Sequence, residues 1–212
     1  MKTAQQKAIK ITNRIFRSLQ IHEGQTEKEV ADWIKSQLRR FGAHPAFRII
    51  VASGKRSAKP HGFATNKKIK KGELVVVDFG AWYRGYRADV TRTFMVGKPT
   101  PKQRKVLIIV REAQKRAMAA AVAGRACREV DKAARDFISK KGYGKYFVHS
   151  TGHAIGKKVH EAPKISRKNP HSIRAGQVIT IEPGIYIKGW GGVRIEDMGI
   201  VTKRSLKMLT SF

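Results

Sequence analysis

Apolar positions recur with helical spacing over residues 2–20, where Ile9, Ile11, Ile15, Phe16 and Leu19 fall on or near one face. Thr26-Glu27-Lys28-Glu29 has the form of a capping box. It predicts a second helix over 27–41 that buries Val30, Trp33, Ile34 and Leu38. The pattern then shortens. Residues 48–53 form an apolar run and predict a strand, and 53–66, rich in Ser, Gly, Pro and Lys, predict a loop that carries His61. Residues 74–80 and 86–96 predict two strands. Helical spacing returns over 102–122 and 128–140, the second stopped by Gly142. Gly and His are mixed with apolar positions over 146–162. A second strand pair is predicted over 178–187 and 192–202, with a closing strand over 204–209. Helices are segregated from hairpins, which predicts an α+β class. The order helix, helix, strands occurs twice and hints at two related halves.

Length and composition narrow the class. A chain of 212 residues with 41% apolar positions can bury a sizeable core, and residues 1–212 are expected to form one domain. No apolar run approaches the ~20 residues of a membrane span, and no apolar segment follows the lysines of the N-terminus, so neither a membrane nor a secretory signal is expected. Cys127 is the only cysteine, which excludes an internal disulfide and fits a reducing cytoplasm.

Charge changes the picture in two ways. The chain has 45 Lys and Arg against 15 Asp and Glu, a net charge of +30. Such a surface attracts polyanions, so weak association with nucleic acid or a ribosome is one expectation. The basic residues are spread along the chain, so a solubilising role explains them equally. The acids are more telling because they are scarce. Six of them, Asp78, Asp89, Glu161, Glu182, Glu196 and Asp197, lie in apolar, glycine-rich stretches.

Asp78 ends one predicted strand and Asp89 lies in the next, with residues 81–85 as the turn. A hairpin symmetric about the Tyr83–Arg84 bond sets these two acids face to face, with Cβ atoms ~4.5–5.5 Å apart. Glu182 and Glu196 repeat the arrangement about Gly189, within Gly189-Trp190-Gly191-Gly192. Facing carboxylates in an apolar sheet repel. Either they share a proton, or the strands shift, or a divalent cation sits between them. Two such pairs on neighbouring hairpins favour metal, because four carboxylates can hold two ions ~3.5–4 Å apart. Among the seven histidines, His22, His44 and His171 read as surface or packing residues. His149, His153 and His160 share one glycine-containing segment, and one imidazole is a natural further ligand for Mn, Co, Fe or Zn.

The motifs around these residues are similar to those of the methionine aminopeptidase, prolidase and aminopeptidase P superfamily. In order they are Pro60-His61-Gly62, Asp78-Phe79-Gly80-Ala81, Asp89-Val90-Thr91-Arg92-Thr93, Gly152-His153-Ala154-Ile155-Gly156, Val159-His160-Glu161, Ile181-Glu182-Pro183-Gly184 and Val193-Arg194-Ile195-Glu196-Asp197. Val51-Ala52-Ser53-Gly54 and Thr91-Arg92-Thr93 resemble the Xaa-Pro peptidase branch in particular.

This resemblance implies a pita-bread fold, with two αβ halves around a curved antiparallel sheet. It implies two divalent ions held by Asp78, Asp89, His153, Glu182 and Glu196, sharing a hydroxide that attacks the N-terminal peptide bond of short peptides. Asp89 and Glu196 would serve both ions. Glu182 would shuttle protons, His160 would stabilise the oxyanion, and His61 would contact the scissile amide. His149 and Arg194 match substrate-side positions. Methionine aminopeptidase specificity and a nucleic-acid-binding role on the same fold are the alternatives. Most Xaa-Pro peptidases of this kind carry an additional N-terminal domain that helps build a homodimer, and this sequence is expected to be the catalytic domain without it. The basic residues at 54–57 and 156–158 are expected at the mouth of the site, where they would favour a free or acidic C-terminus.

Overall fold

A computed structural model describes residues 2–210, so the ends of the expected 1–212 domain, Met1, Ser211 and Phe212, lie outside the described residues. The first half opens with α1 (Thr3–Ser18) and α2 (Glu27–Arg40). The expected capping box closes reciprocally. Thr26 Oγ1 accepts from the Glu29 N–H, and the Glu29 carboxylate accepts from the Thr26 N–H. The half continues through β1 (His44–Pro45), β2 (Ile50–Ser53), a 3₁₀ turn (Gly54–Ala58), β3 (Leu74–Phe79), β4 (Ala81–Tyr83), β5 (Tyr86–Arg87) and β6 (Val90–Met95). The second half has α3 (Pro101–Ala120), α4 (Cys127–Lys140), a 3₁₀ turn (Gly144–Tyr146), β7 (Gly152–Ala154) and β8 (Glu161–Ile165). It ends with β9 (Val178–Ile181), β10 (Gly184–Ile187), β11 (Gly191–Arg194), β12 (Asp197–Val201) and β13 (Leu206–Met208).

Each half has its own core. Ile15, Ile34, Leu38, Val77 and Phe79 pack in the first, and Val110, Ile138, Ile165, Ile179 and Ile181 in the second. The hint of two related halves is borne out by matching backbone hydrogen bonds where the second helix of each half begins. Gly24 N–H donates to Ile69 O as Gly124 N–H donates to Ile173 O, and Glu27 N–H donates to Lys67 O as Cys127 N–H donates to His171 O.

The strands are antiparallel throughout. The first half contributes the sheet β2-β3-β6 and the second β13-β12-β9-β7-β8. The two sheets meet at a bridge between Thr91 and Glu196.

The expected long strands are broken, and the breaks fall at the acids. The strand expected over 86–96 is interrupted at Ala88 and Asp89, that over 178–187 at Glu182 and Pro183, and that over 192–202 at Ile195 and Glu196. Backbone pairing explains two of the breaks. Glu182 N–H donates to Thr151 O and Glu196 N–H to Thr91 O, so both residues leave their hairpin to pair with other strands. Pro183 has no N–H with which to continue a ladder.

The second hairpin keeps the expected register, since Ile181 pairs with Asp197 and Gly184 with Arg194, which sets Glu182 across from Glu196. The first differs by one step. Asp78 pairs with Thr91, and Tyr83 with Tyr86, so the turn centres on Arg84 and Gly85. Both of those residues have positive φ, as a tight two-residue hairpin turn requires. Asp89 therefore stands across from Gly80 and is a diagonal neighbour of Asp78.

Candidate metal centre

Where the sheets join, their side chains surround a cavity of about 870 Å³. Asp78, Asp89, His153, Glu182 and Glu196 all line it, arriving from β3, β7 and three strand breaks. Asp89, His153 and Glu196 offer ligand atoms that all lie within 4.8 Å of one another. His153 Nε2 is 3.7 Å from Asp89 Oδ2 and 3.4 Å from Glu182 Oε1. Local backbone geometry permits this crowding. A Cβ on Gly80 would lie 1.6 Å from Ala88 O, and one on Gly152 would lie 2.0 Å from Thr180 O. Only glycine lets the chain pass this close to its neighbour beside Asp89 and His153.

The electrostatics are unfavourable without a cation. Burial, with Glu196, Asp78 and Glu182 around it, holds Asp89 well above the usual carboxylate range. Burial, with Glu182 and Asp78, does the same to Glu196. Burial pushes Glu182 up to about 7, against the opposing pull of Arg194. Asp78 Oδ1 and Asp89 Oδ1 are buried and have no hydrogen-bond partner among the described residues. Burial brings His153 down to about 4. Its Nδ1 reaches the Ala154 carbonyl at 3.1 Å and so carries the proton, which leaves the Nε2 lone pair aimed at the carboxylates. Lone pairs facing lone pairs, and orphaned buried oxygens, are what a divalent cation satisfies. Five candidate ligands, hard oxygens plus one imidazole, fit such ions.

The remaining expected residues also converge here. His61, His149, His160 and Arg194 line the same cavity. The His160 ring packs edge-on against His153 at 4.5 Å, and burial followed by the charge of Lys164 lowers its pKa. Arg194 is buried and donates to Asp78 Oδ2 at 2.6 Å, to Thr91 Oγ1 at 3.0 Å and to the Pro60 carbonyl at 3.2 Å.

Two residues to which the sequence reading gave no role complete the network. Tyr186 OH accepts from Arg194 at 2.7 Å and meets His149 Nε2 at 2.8 Å. Thr91 Oγ1 donates to Glu196 at 2.7 Å. Tyr186 lies at even steps from Glu182, the alternation that puts strand residues on one face, so its position was readable.

The basic stretches expected at the mouth are not there. Lys55, Arg56, Lys157 and Lys158 do not line the cavity, and Arg56 is engaged by buried Glu27 at 3.1 Å. The lysine and arginine of the rim are Lys164 and Arg48, the latter lying over the Phe63 ring at 4.1 Å.

Comparison with known proteins agrees with this arrangement. An Xaa-Pro dipeptidase of Pyrococcus furiosus is 50% identical over 192 residues, which cover 90% of this chain and 55% of the relative. The chain thus spans little more than half the length of that protein. The structure of an Xaa-Pro dipeptidase from Bacillus anthracis superposes with a TM-score of 0.97 at 45% identity, over 99% of this chain and 60% of the other. That of an X-Pro aminopeptidase from Thermotoga maritima does so with a TM-score of 0.96 at 44% identity, over 99% and 60%. The fold is the expected pita-bread fold. The profile of metallopeptidase family M24 matches residues 2–203, and with the ligand geometry above the chain belongs to that family.

Proposed function

We propose that this chain is a metal-dependent hydrolase that cleaves the N-terminal peptide bond of short peptides, with Xaa-Pro as the preferred bond. The observation that carries the reading is the convergence of four carboxylates and the free nitrogen of His153 on one cavity, with two buried carboxylate oxygens unpartnered. Two divalent ions are the fitting complement, manganese or cobalt first, with iron or zinc as alternatives. Asp78 would serve one, His153 and Glu182 the other, and Asp89 and Glu196 both. Such ions lower the pKa of bound water so that a nucleophile is available near neutral pH.

The side chains then divide the remaining work. Glu182, beside the attacking water, would take its proton and pass it to the leaving amine. His160 is neutral at pH 7 because its pKa is lowered, and it donates to the oxyanion that develops on the substrate carbonyl. His61 contacts the scissile amide or leaving amine. Arg194 fixes Asp78 while Tyr186 and His149 extend the same hydrogen-bond chain toward substrate. The preference for Xaa-Pro is supported by the relatives, whose names specify such peptides. The +30 surface supports an additional, salt-sensitive attraction to polyanions.

The test is hydrolysis by Mn- or Co-loaded protein of Xaa-Pro dipeptides, Xaa-Pro-Yaa tripeptides and Met-Ala peptides, with Asp89→Ala and Glu196→Ala alongside. Cleavage of Xaa-Pro bonds that both variants lose is the expected result. Cleavage of Met-Ala alone replaces the specificity by that of methionine aminopeptidases. No cleavage together with no bound ion overturns the enzyme reading and leaves a binding protein on this fold.

A further inference from the structure

We infer that Glu27 and Arg56, outside the cavity, form a buried clamp that positions His61, which makes Glu27 a positioning residue for the reaction proposed above. Glu27 is the first residue of α2 and has no exposed surface. Its carboxylate gathers donors from both ends of the loop that carries His61. Ser53 N–H and Oγ donate to Oε1 at 2.8 and 2.9 Å, where the loop leaves β2. Thr65 N–H and Oγ1 donate to Oε2 at 3.1 and 2.7 Å, where the loop ends. Arg56 Nε donates to the same carboxylate at 3.1 Å, and its NH2 group straps the Phe63 carbonyl at 2.8 Å, two residues beyond His61. From the cavity side, Arg194 holds the Pro60 carbonyl. The loop is therefore gripped on both sides of an exposed His61, and it is packed so tightly that a Cβ on Gly62 would lie 2.6 Å from the Ala52 Cβ.

Two observations separate positioning from simple stabilisation. A buried ion pair is weak evidence for stability, because an apolar replacement of similar volume often does as well. The related half of this same chain supplies that replacement. Cys127 occupies the start of α4, its N–H makes the matching hydrogen bond to a loop carbonyl, and its side chain is fully buried without any carboxylate. The junction at α4 closes without a carboxylate, whereas that at α2 uses one that gathers five donors, all from the segment that carries His61.

The experiment is a double-mutant cycle on Mn-loaded protein with Met-Pro as substrate, combining Glu27→Gln with His61→Ala. A glutamine keeps the size but turns an amide toward the Thr65 donors, so the Thr65 bonds and the charge partner of Arg56 are lost. Expected is a fall in kcat/KM of about 10- to 100-fold, since small displacements of a positioned group cost up to that much. Metal content should stay that of the wild type. In the His61→Ala background the same change should cost less than about twofold. Equal losses in both backgrounds overturn the inference, because they mean that the clamp acts on the whole fold. A second readout needs no turnover. In ¹³C-histidine-labelled protein, Glu27→Gln should shift or broaden the His61 ring resonance and leave that of His153 in place, and an unchanged His61 resonance in folded variant overturns the inference. Arg56→Gln, which removes the strap to Phe63, carries both tests if Glu27→Gln does not fold. A wild type that cleaves none of the peptides counts against the peptidase reading alone, and the resonance arm then decides the clamp.

Discussion

At the scale of single residues, the centre is a site built for ions at the expense of the fold that holds it. Asp89 and Glu196 are pushed toward their neutral forms by burial and by one another. Removing one charge should therefore help the metal-free protein. Asp89→Asn is expected to raise its melting temperature in chelator by about 2–4 °C, the shift that about 1 kcal/mol gives in a chain of this size. The same substitution should abolish the stabilisation that Mn gives the wild type, and thermal scans with and without metal check both effects. His149 gives a pH prediction. Burial, reinforced by Arg194, brings it down to about 4 from 6.5. In the folded state it stays neutral where the unfolded chain takes up a proton. Its contribution to stability is thus fully present above about pH 6.5 and is lost as pH falls toward 4. His149→Gln should flatten the fall in melting temperature across that window, and an unchanged slope would contradict the shift. The four candidate acids stood out at this scale because scarce acids lay in apolar runs, whereas His153 stood out only through the motifs. Tyr186 was readable only in its place on the strand face and not in its role, because an aromatic residue in a strand ordinarily signals core.

At the scale of elements, ligand placement depends on strands that stop. Helix positions followed from apolar spacing and capping, since both are local. The breaks at Glu182 and Glu196 were invisible locally, because Thr151 and Thr91, which capture the freed backbone groups, are distant in sequence. The one-step change in the first hairpin has a local cause, the paired positive φ of Arg84 and Gly85, but an arginine there carries no turn signal. Gly80 is the most demanding position. Gly80→Ala would place a methyl group 1.6 Å from the Ala88 carbonyl oxygen and force apart the strands that hold Asp78 and Asp89. It should cost at least about 3 kcal/mol and most of the metal affinity. Gly85→Ala meets open space and should cost only about 1 kcal/mol through its positive φ, with metal binding kept. Denaturant titration and metal titration of the pair separate these outcomes.

At the scale of the whole molecule, two related halves, each with its own core, meet at the Thr91–Glu196 bridge, and the cavity lies along that seam. The candidate ligands come from both halves, so ion binding should tie them together. Mn at 100 times its Kd is expected to stabilise the native state by about 2.7 kcal/mol, and chelator should reverse it. Calorimetry should show a single transition in both states if the halves unfold together. Charge is also a property of this scale. Six of the fifteen acids are buried, which leaves the surface more basic than the net +30 suggests. Binding to poly(U) should weaken steeply as salt rises, and affinity that ignores salt would rule out a phosphate-directed surface.

The sequence by itself determined the helix positions, the α+β class, the second hairpin register and, through the motifs, the family. Each of these rests on spacing within a few residues or on strings of adjacent ones. Tertiary structure alone decided how the five candidate ligands meet, where the strands break, which cations rim the cavity, and that Arg56 turns inward to Glu27. Most of those features depend on partners more than twenty residues apart, and a side chain's partner across such a gap is chosen by packing rather than by local pattern.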